Sequence, residues 1–127
     1  MAEESRYWPT EIKVSRDRRQ MTVRFDDGAT FEIPAELLRV NSPSAEVQGH
    51  SPSQRVVVPG KREVEIVRVM PTGTYAVRIV FDDLHETGIY TWDYLRKLGE
   101  NRDALLESYF EELAEKGLSR EKQVPRR

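Results

Sequence analysis

The sequence predicts an α+β domain: a mostly antiparallel β-sheet, two short helices that follow β-hairpins, and a longer C-terminal helix. Three observations carry this. Apolar and polar residues alternate at strand period through much of residues 9–81. Clusters of Asp, Gly and Pro break that alternation at short intervals. An apolar stripe of helical period then runs through residues 101–116. At 127 residues the chain suits one domain around one modest core.

Residues 1–8 form a polar leader ending at Trp8, with Pro9 opening the domain. Ile12 and Val14, then Met21, Val23 and Phe25, mark two strands joined by the charged turn Ser15-Arg16-Asp17-Arg18-Arg19-Gln20. Asp26-Asp27-Gly28 is the next turn, with glycine supplying a positive φ at no steric cost. Thr30-Phe31-Glu32-Ile33 returns as a strand. Pro34 suits the first position of a helix, and Ala35-Glu36-Leu37-Leu38-Arg39 gives about one turn beyond it.

Residues 41–55 are rich in Ser, Pro and Gly and read as a long ordered loop. Strands are expected at Val56-Val57-Val58, at Val64 to Val69 and at Tyr75 to Phe81, with turns at Pro59-Gly60-Lys61 and Pro71-Thr72-Gly73. Thr91 is a fitting N-cap for a second short helix, Trp92 to Leu98, stopped near Gly99. Leu105, Leu106, Tyr109, Phe110 and Leu113 line one face of the last helix, which ends at Gly117. That face suits either the core or another copy of the chain, and core packing is the simpler use of it. Residues 118–127 read as a basic, frayed tail.

The chain echoes itself. Val23-Arg24-Phe25-Asp26-Asp27-Gly28 through Leu37-Leu38-Arg39 parallels Ile79-Val80-Phe81-Asp82-Asp83-Leu84 through Tyr94-Leu95-Arg96, with one extra residue in the second copy. Hairpins converge on such sequences because Asp favours turns; a duplicated unit is the alternative.

Composition excludes several chemistries. Without cysteine there are no disulfides, no thiolate catalysis and no cysteine-ligated zinc or iron–sulfur cluster. Twenty basic against 22 acidic residues give no global reason to expect nucleic acid or an anionic membrane as partner. Arg16, Arg18, Arg19, Lys61 and Arg62 are candidates for a basic edge, but no exposed aromatics interleave with them. The charged N-terminus carries no signal-peptide core and no run approaches a membrane span, so the expected location is the cytoplasm. The serines at 42, 44, 51 and 53 lack a nucleophile elbow, and no glycine run resembles a phosphate cradle.

Two histidines remain. His50 lies in the long loop and His85 follows the second acidic turn, where Asp82, Asp83 and Glu86 are placed to hold it or to help ligate a cation. Tyr90, Trp92 and Tyr94 alternate across a strand-to-helix junction, so some of these rings belong in the core and some outside it.

Pro9-Thr10-Glu11-Ile12, Phe25-Asp26-Asp27-Gly28, Ile33 to Arg39, Ser42-Pro43-Ser44-Ala45-Glu46-Val47-Gln48-Gly49-His50 and Gly88-Ile89-Tyr90-Thr91-Trp92-Asp93-Tyr94-Leu95 resemble the bacterial family related to the N-terminal domain of gamma-butyrobetaine hydroxylase. The likeness covers residues 9–98. It implies the fold of that domain, which in the eukaryotic hydroxylases precedes the catalytic domain and binds zinc through three cysteines and a histidine. Related domains occur on P-loop scaffold proteins of iron–sulfur cluster assembly. Carried over by position, the cysteines fall on Ser42, Ser44 and Val47 and the histidine on His85.

Neutral hydroxyls are poor replacements for thiolates, so no hydroxylase-type zinc and no other cofactor is expected. The resemblance leaves a polar cluster of Ser42, Ser44, His50 and His85 at the former zinc site. His85 is the residue that would hold zinc or iron if a metal bound. Nothing in residues 99–127 resembles an oxygenase domain. The expectation is a non-enzymatic accessory domain that docks a protein partner, in metal or iron–sulfur metabolism, through Glu46, Gln48, Asp82, Asp83, Glu86 and Trp92. A metal-binding protein or metal-dependent enzyme using His85, and a homo-oligomer built on the C-terminal helix, are the alternatives.

Overall fold

The computed structural model describes residues 7–49 and 52–122. Most of the leader, the end of the tail, Ser51 and His50 lie outside the described residues, and with His50 one member of the expected polar cluster. The architecture is α+β, but the strands form two three-stranded antiparallel sheets instead of one. The first is β1 (Pro9–Val14), β2 (Gln20–Phe25) and β3 (Thr30–Pro34); the second is β4 (Ile66–Thr72), β5 (Ala76–Phe81) and β6 (Ile89–Thr91). Each meander runs straight into a helix: α1 (Ala35–Val40) after the first, α3 (Trp92–Glu100) after the second. Pro34 is the N-cap of α1, one place earlier than expected.

The two halves are copies in geometry. Gly28 N–H donates to Phe25 O at 3.0 Å and Phe25 N–H to Ala29 O at 2.8 Å; Leu84 N–H donates to Phe81 O at 3.1 Å and Phe81 N–H to His85 O at 2.9 Å. This is one turn built twice, with a left-handed residue closing it. Ion pairs cross between the copies in matched fashion. Arg39 on α1 reaches Asp83 in the second turn at 2.7 Å, and Arg96 on α3 reaches Asp27 in the first turn at 2.9 Å. The sequence echo is therefore a repeated β-β-β-α unit, since turn chemistry alone gives no reason for its helices and ion pairs to match as well.

The inner faces of both sheets, among them Met21, Val23, Phe25, Ile66, Ile79 and Phe81, meet α1 and α3 in one core. Removing such side chains from water is the dominant stabilising term, about 1.5–3 kcal/mol for each large one. Arg18 ties the sheets together: its carbonyl accepts from Ile66 N–H at 2.7 Å and its guanidinium donates to the carbonyls of Ile66 and Val67. Gly99 does not stop α3. A Cβ there would lie 2.6 Å from Phe31 Cγ, so glycine is required for α3 to close on β3, and the helix ends at Asn101.

α4 (Arg102–Glu115) buries Tyr109 and Leu113 against Val40 of α1 and the half-buried Val57 and Val58. Its stripe is thus used within the chain. Val56-Val57-Val58 is not a strand: it has no ladder partner among the described residues, and Val57 and Val58 pack instead beside Tyr109 and Leu113 of α4, where Val58 O accepts the Tyr109 hydroxyl at 2.5 Å. The long loop contains α2 (Ala45–Gln48) and a 3-10 turn at Pro52–Gln54. Residues 118–122 are packed, not frayed. Gly60 and Arg62 donate backbone N–H groups to Ser119 and Arg120, while Arg120 binds the buried Glu36 at 2.7 and 3.0 Å.

Candidate functional site

The site is the junction between the end of α1, the helix α2 and the turn that follows β5. Asn41 terminates α1 and the chain then carries Ser42 inward until it is fully buried. Ser44 caps α2, accepting Glu46 N–H at 3.2 Å, and this aims Glu46 across to the β5–β6 turn. From that turn His85 enters the gap with its side chain only 2% exposed. Its Nε2 lies 2.8 Å from Ser42 Oγ and its Nδ1 lies 3.1 Å from Glu46 Oε2.

These contacts fix the proton. A neutral imidazole facing a carboxylate through Nδ1 must carry its hydrogen there, so Nδ1–H donates to Glu46 and Nε2 accepts the Ser42 hydroxyl proton. Ser42 Oγ accepts in turn from Ser44 N–H at 3.3 Å. Burial pushes the His85 pKa below its ordinary value, and the Arg39 charge pushes the same way against the pull of Glu46 and Asp83. Asp83 is itself part-buried, which opposes ionisation, yet Lys61 at 2.6 Å, the His85 N–H and Arg39 together hold its pKa below the usual value. One Arg39 nitrogen, Nη1, is buried without a hydrogen-bond partner among the described residues.

Ser42, His85 and Glu46 have the connectivity of a serine–histidine–carboxylate triad. The surroundings differ from a working one. Ser42 is 0% exposed, and a Cβ at Gly88 would stand 2.4 Å from its hydroxyl, so the Gly88 backbone packs closely over it. Nor does the donor set fit a four-ligand zinc. Val47 is a buried hydrocarbon, Ser44 Oγ is engaged with Thr87 Oγ1 at 2.6 Å, and Ser42 and His85 are bonded to each other. Among the described residues, no group of three His, Asp or Glu side chains is placed to hold a metal ion.

The remaining expected residues divide. Gln48 supports the site, donating to Ser42 O at 2.9 Å. Asp82 faces out and accepts Glu65 N–H at 3.0 Å, and Glu86 is exposed; neither contacts the imidazole. The carboxylate on the ring is Glu46, not one of the three beside His85 in sequence. Trp92 is buried, with its indole N–H bonded to Thr74 O, and so cannot serve as an interaction surface. Tyr90 is fully buried, its hydroxyl on Leu38 O, and Tyr94 is half-buried with its hydroxyl on Asn41 O. The expected basic edge is dispersed into contacts of Arg19 with Glu63, Lys61 with Asp83 and Arg62 with Glu121.

Sequence reasoning missed Arg39, Lys61, Thr87 and above all Leu84. Leu84 is 87% exposed at φ 72°, the left-handed region that leucine rarely occupies. The signal was present in the repeat, where Gly28 holds the same place.

Fold and site together define a small two-sheet α+β domain with a sealed polar hub at the base of an exposed turn. The chain belongs to the family described as gamma-butyrobetaine hydroxylase-like, N-terminal, whose model matches residues 12–96. It is similar to two proteins solved by NMR, both at 42% identity: one with TM-score 0.80 over 99% of this chain and 95% of that one, the other with TM-score 0.79 over 94% of each. It is also similar, at 42% identity and TM-score 0.59, to a crystal structure of a protein of unknown function of the DUF971 family from Acidithiobacillus ferrooxidans; 72% of this chain and 91% of that one are covered. No curated protein matches. Among the described residues no helix is long and apolar enough to cross a membrane.

Proposed function

We propose that this chain is a non-enzymatic binding domain that docks a protein partner at the β5–β6 turn, with Leu84 as the apolar anchor and Glu46 and Glu86 as flanking charges. One observation carries the reading: an almost fully exposed leucine is held at positive φ where the other half of the molecule uses glycine. A left-handed leucine costs roughly 1–2 kcal/mol, and such strain marks functional positions more often than structural ones.

The same comparison supports a role for the hub beyond folding. The first half closes its equivalent junction with the Phe31 ring packed on Gly99 and the Arg96 guanidinium over that ring, with no counterpart of the buried Ser42–His85 pair among the described residues. The second half places Ser42 on Gly88 and builds the His85–Glu46 chain around it. Sealing of Ser42 favours support over catalysis. The hub then stiffens the turn that presents Leu84. The family's related domains on iron–sulfur scaffold proteins direct the search for the partner to metal and iron–sulfur metabolism.

The test places a photo-crosslinking phenylalanine analogue at position 84 in cells, identifies the captured protein, and measures its affinity for wild type, Leu84→Gly and Leu84→Asp. Losing a buried leucine anchor weakens binding about tenfold or more. Leu84→Gly should do so while raising stability, a split that misfolding cannot produce. Equal affinity of all three overturns the reading. Stoichiometric zinc or iron retained by wild type after desalting and lost in His85→Ala would put a metal-binding function in its place.

A further inference from the structure

The two halves of the molecule treat their outer sheet faces differently. On the first sheet the outward positions are Glu11, Lys13, Thr22, Arg24 and Glu32, a mixed-charge face with Lys13 and Glu11 paired at 3.5 Å. The equivalent positions on the second sheet are Arg68, Met70, Arg78, Val80 and Ile89, with Met70, Arg78 and Ile89 in one cross-strand row. That face holds two arginines and no carboxylate. Neither Arg68 nor Arg78 has an ion-pair partner among the described residues, and Ile89 is 41% exposed. One sheet face is built for water and the other for a partner that is acidic and apolar.

A surface of that chemistry lies on the same chain. Along one edge of α4, Leu106 and Phe110, both partly buried against the core, and Ala114 line a shallow groove of about 450 Å³ beside Asp103, Glu107 and Glu111. The three acids repeat at i, i+4, so like charges are stacked along the helix at a cost to its stability. Asp103 meets only its neighbour Arg102, and Glu107 and Glu111 have no ion-pair partner among the described residues.

We propose that copies of this chain associate head to tail, the open face of the second sheet on one copy receiving this edge of α4 on the next. Arg68 and Arg78 meet Glu107 and Glu111, and Met70, Val80 and Ile89 cover Leu106 and Phe110. Each contact leaves one face of either kind free, so the assembly grows with concentration instead of closing as a symmetric dimer. The surface is separate from the β5–β6 turn and the proposal does not depend on docking at Leu84.

The test is sedimentation velocity of the full chain from about 10 µM to about 1 mM, a roughly hundredfold window around weak association, at low and high salt. Wild type should gain mass with concentration at low salt and lose that gain at high salt. Arg68→Glu/Arg78→Glu and Glu107→Lys/Glu111→Lys should each stay monomeric. Mixed together they should associate again, because the reversed sheet of one fits the reversed helix of the other. Monomeric wild type throughout, a closed dimer, or a mixture that fails to associate while both variants keep the native circular dichroism spectrum overturns the proposal and leaves the faces to a different protein.

Discussion

Leu84 occupies in the second half of the molecule the position that Gly28 occupies in the first, closing the same turn with the same left-handed backbone. Gly28 has nothing within 4 Å of where a Cβ would be, so a side chain there would meet strain and no clash. The two positions thus isolate backbone conformation from packing. Leu84→Gly should raise the stability of the chain by about 1 kcal/mol, and Gly28→Leu should lower it by about 1–2 kcal/mol. Urea unfolding with an unchanged m-value measures both.

The pH response follows from His85. Its folded-state pKa lies below the ordinary 6.5, so the unfolded chain takes up the proton more readily. The stabilisation tied to the neutral ring is complete above about pH 6.5 and drains as pH falls toward the folded value. Protonation would also turn Nε2 into a donor toward Ser42, whose own hydrogen then has to find another acceptor. Thermal unfolding between pH 7.5 and 5 should show this loss for wild type and a flatter profile for His85→Gln. Nitrogen chemical shifts should place the neutral-state proton on Nδ1.

Much of this fold was legible because alternation has a short period that local sequence displays: β1, β2, β3, β5 and the stripe of α4 stand near their expected places. Val56-Val57-Val58 misled because β-branched residues suit any extended segment, and only a neighbouring strand makes one part of a sheet. The helix α2 escaped because four residues hold no period. At the site, Ser42 and His85 were found by resemblance, but Glu46 as the partner of the ring was not. Sequence adjacency favoured Asp82, Asp83 and Glu86, whereas the contact depends on α2 folding back across the turn. The repeat was visible and held more than was taken from it, since aligning Gly28 with Leu84 already exposes the unusual residue.

The crossed ion pairs are alike in connection and unlike in burial. Arg39 and Asp83 are 11% and 18% exposed, while Asp27 is 45% exposed beside Arg96. Asp83→Asn strands Arg39 and Lys61 in a largely desolvated site and should cost about 3 kcal/mol. Asp27→Asn removes a solvated partner, and Arg96 keeps Glu100 at 3.1 Å and its place over the Tyr7, Phe25 and Phe31 rings. Its effect should be the smaller of the two and should shrink further in salt, as chemical denaturation at two ionic strengths will show.

Gly88 and Ser42 share one small volume, and the two directions of change are separable. Gly88→Ala drives a methyl into the Ser42 hydroxyl and the edge of the Tyr90 ring, and overpacking of this kind costs about 1–3 kcal/mol. Ser42→Ala makes room but leaves His85 Nε2 buried without its donor, a loss of about 1–3 kcal/mol. If the clash and the hydrogen bond are the two causes, the double variant should lose less than the sum, because the methyl at 88 then meets a smaller neighbour. A double-mutant cycle by urea unfolding measures the coupling. Strict additivity would mean that Gly88 is required by Tyr90 alone and that Ser42 is not what sets the close approach of the turn.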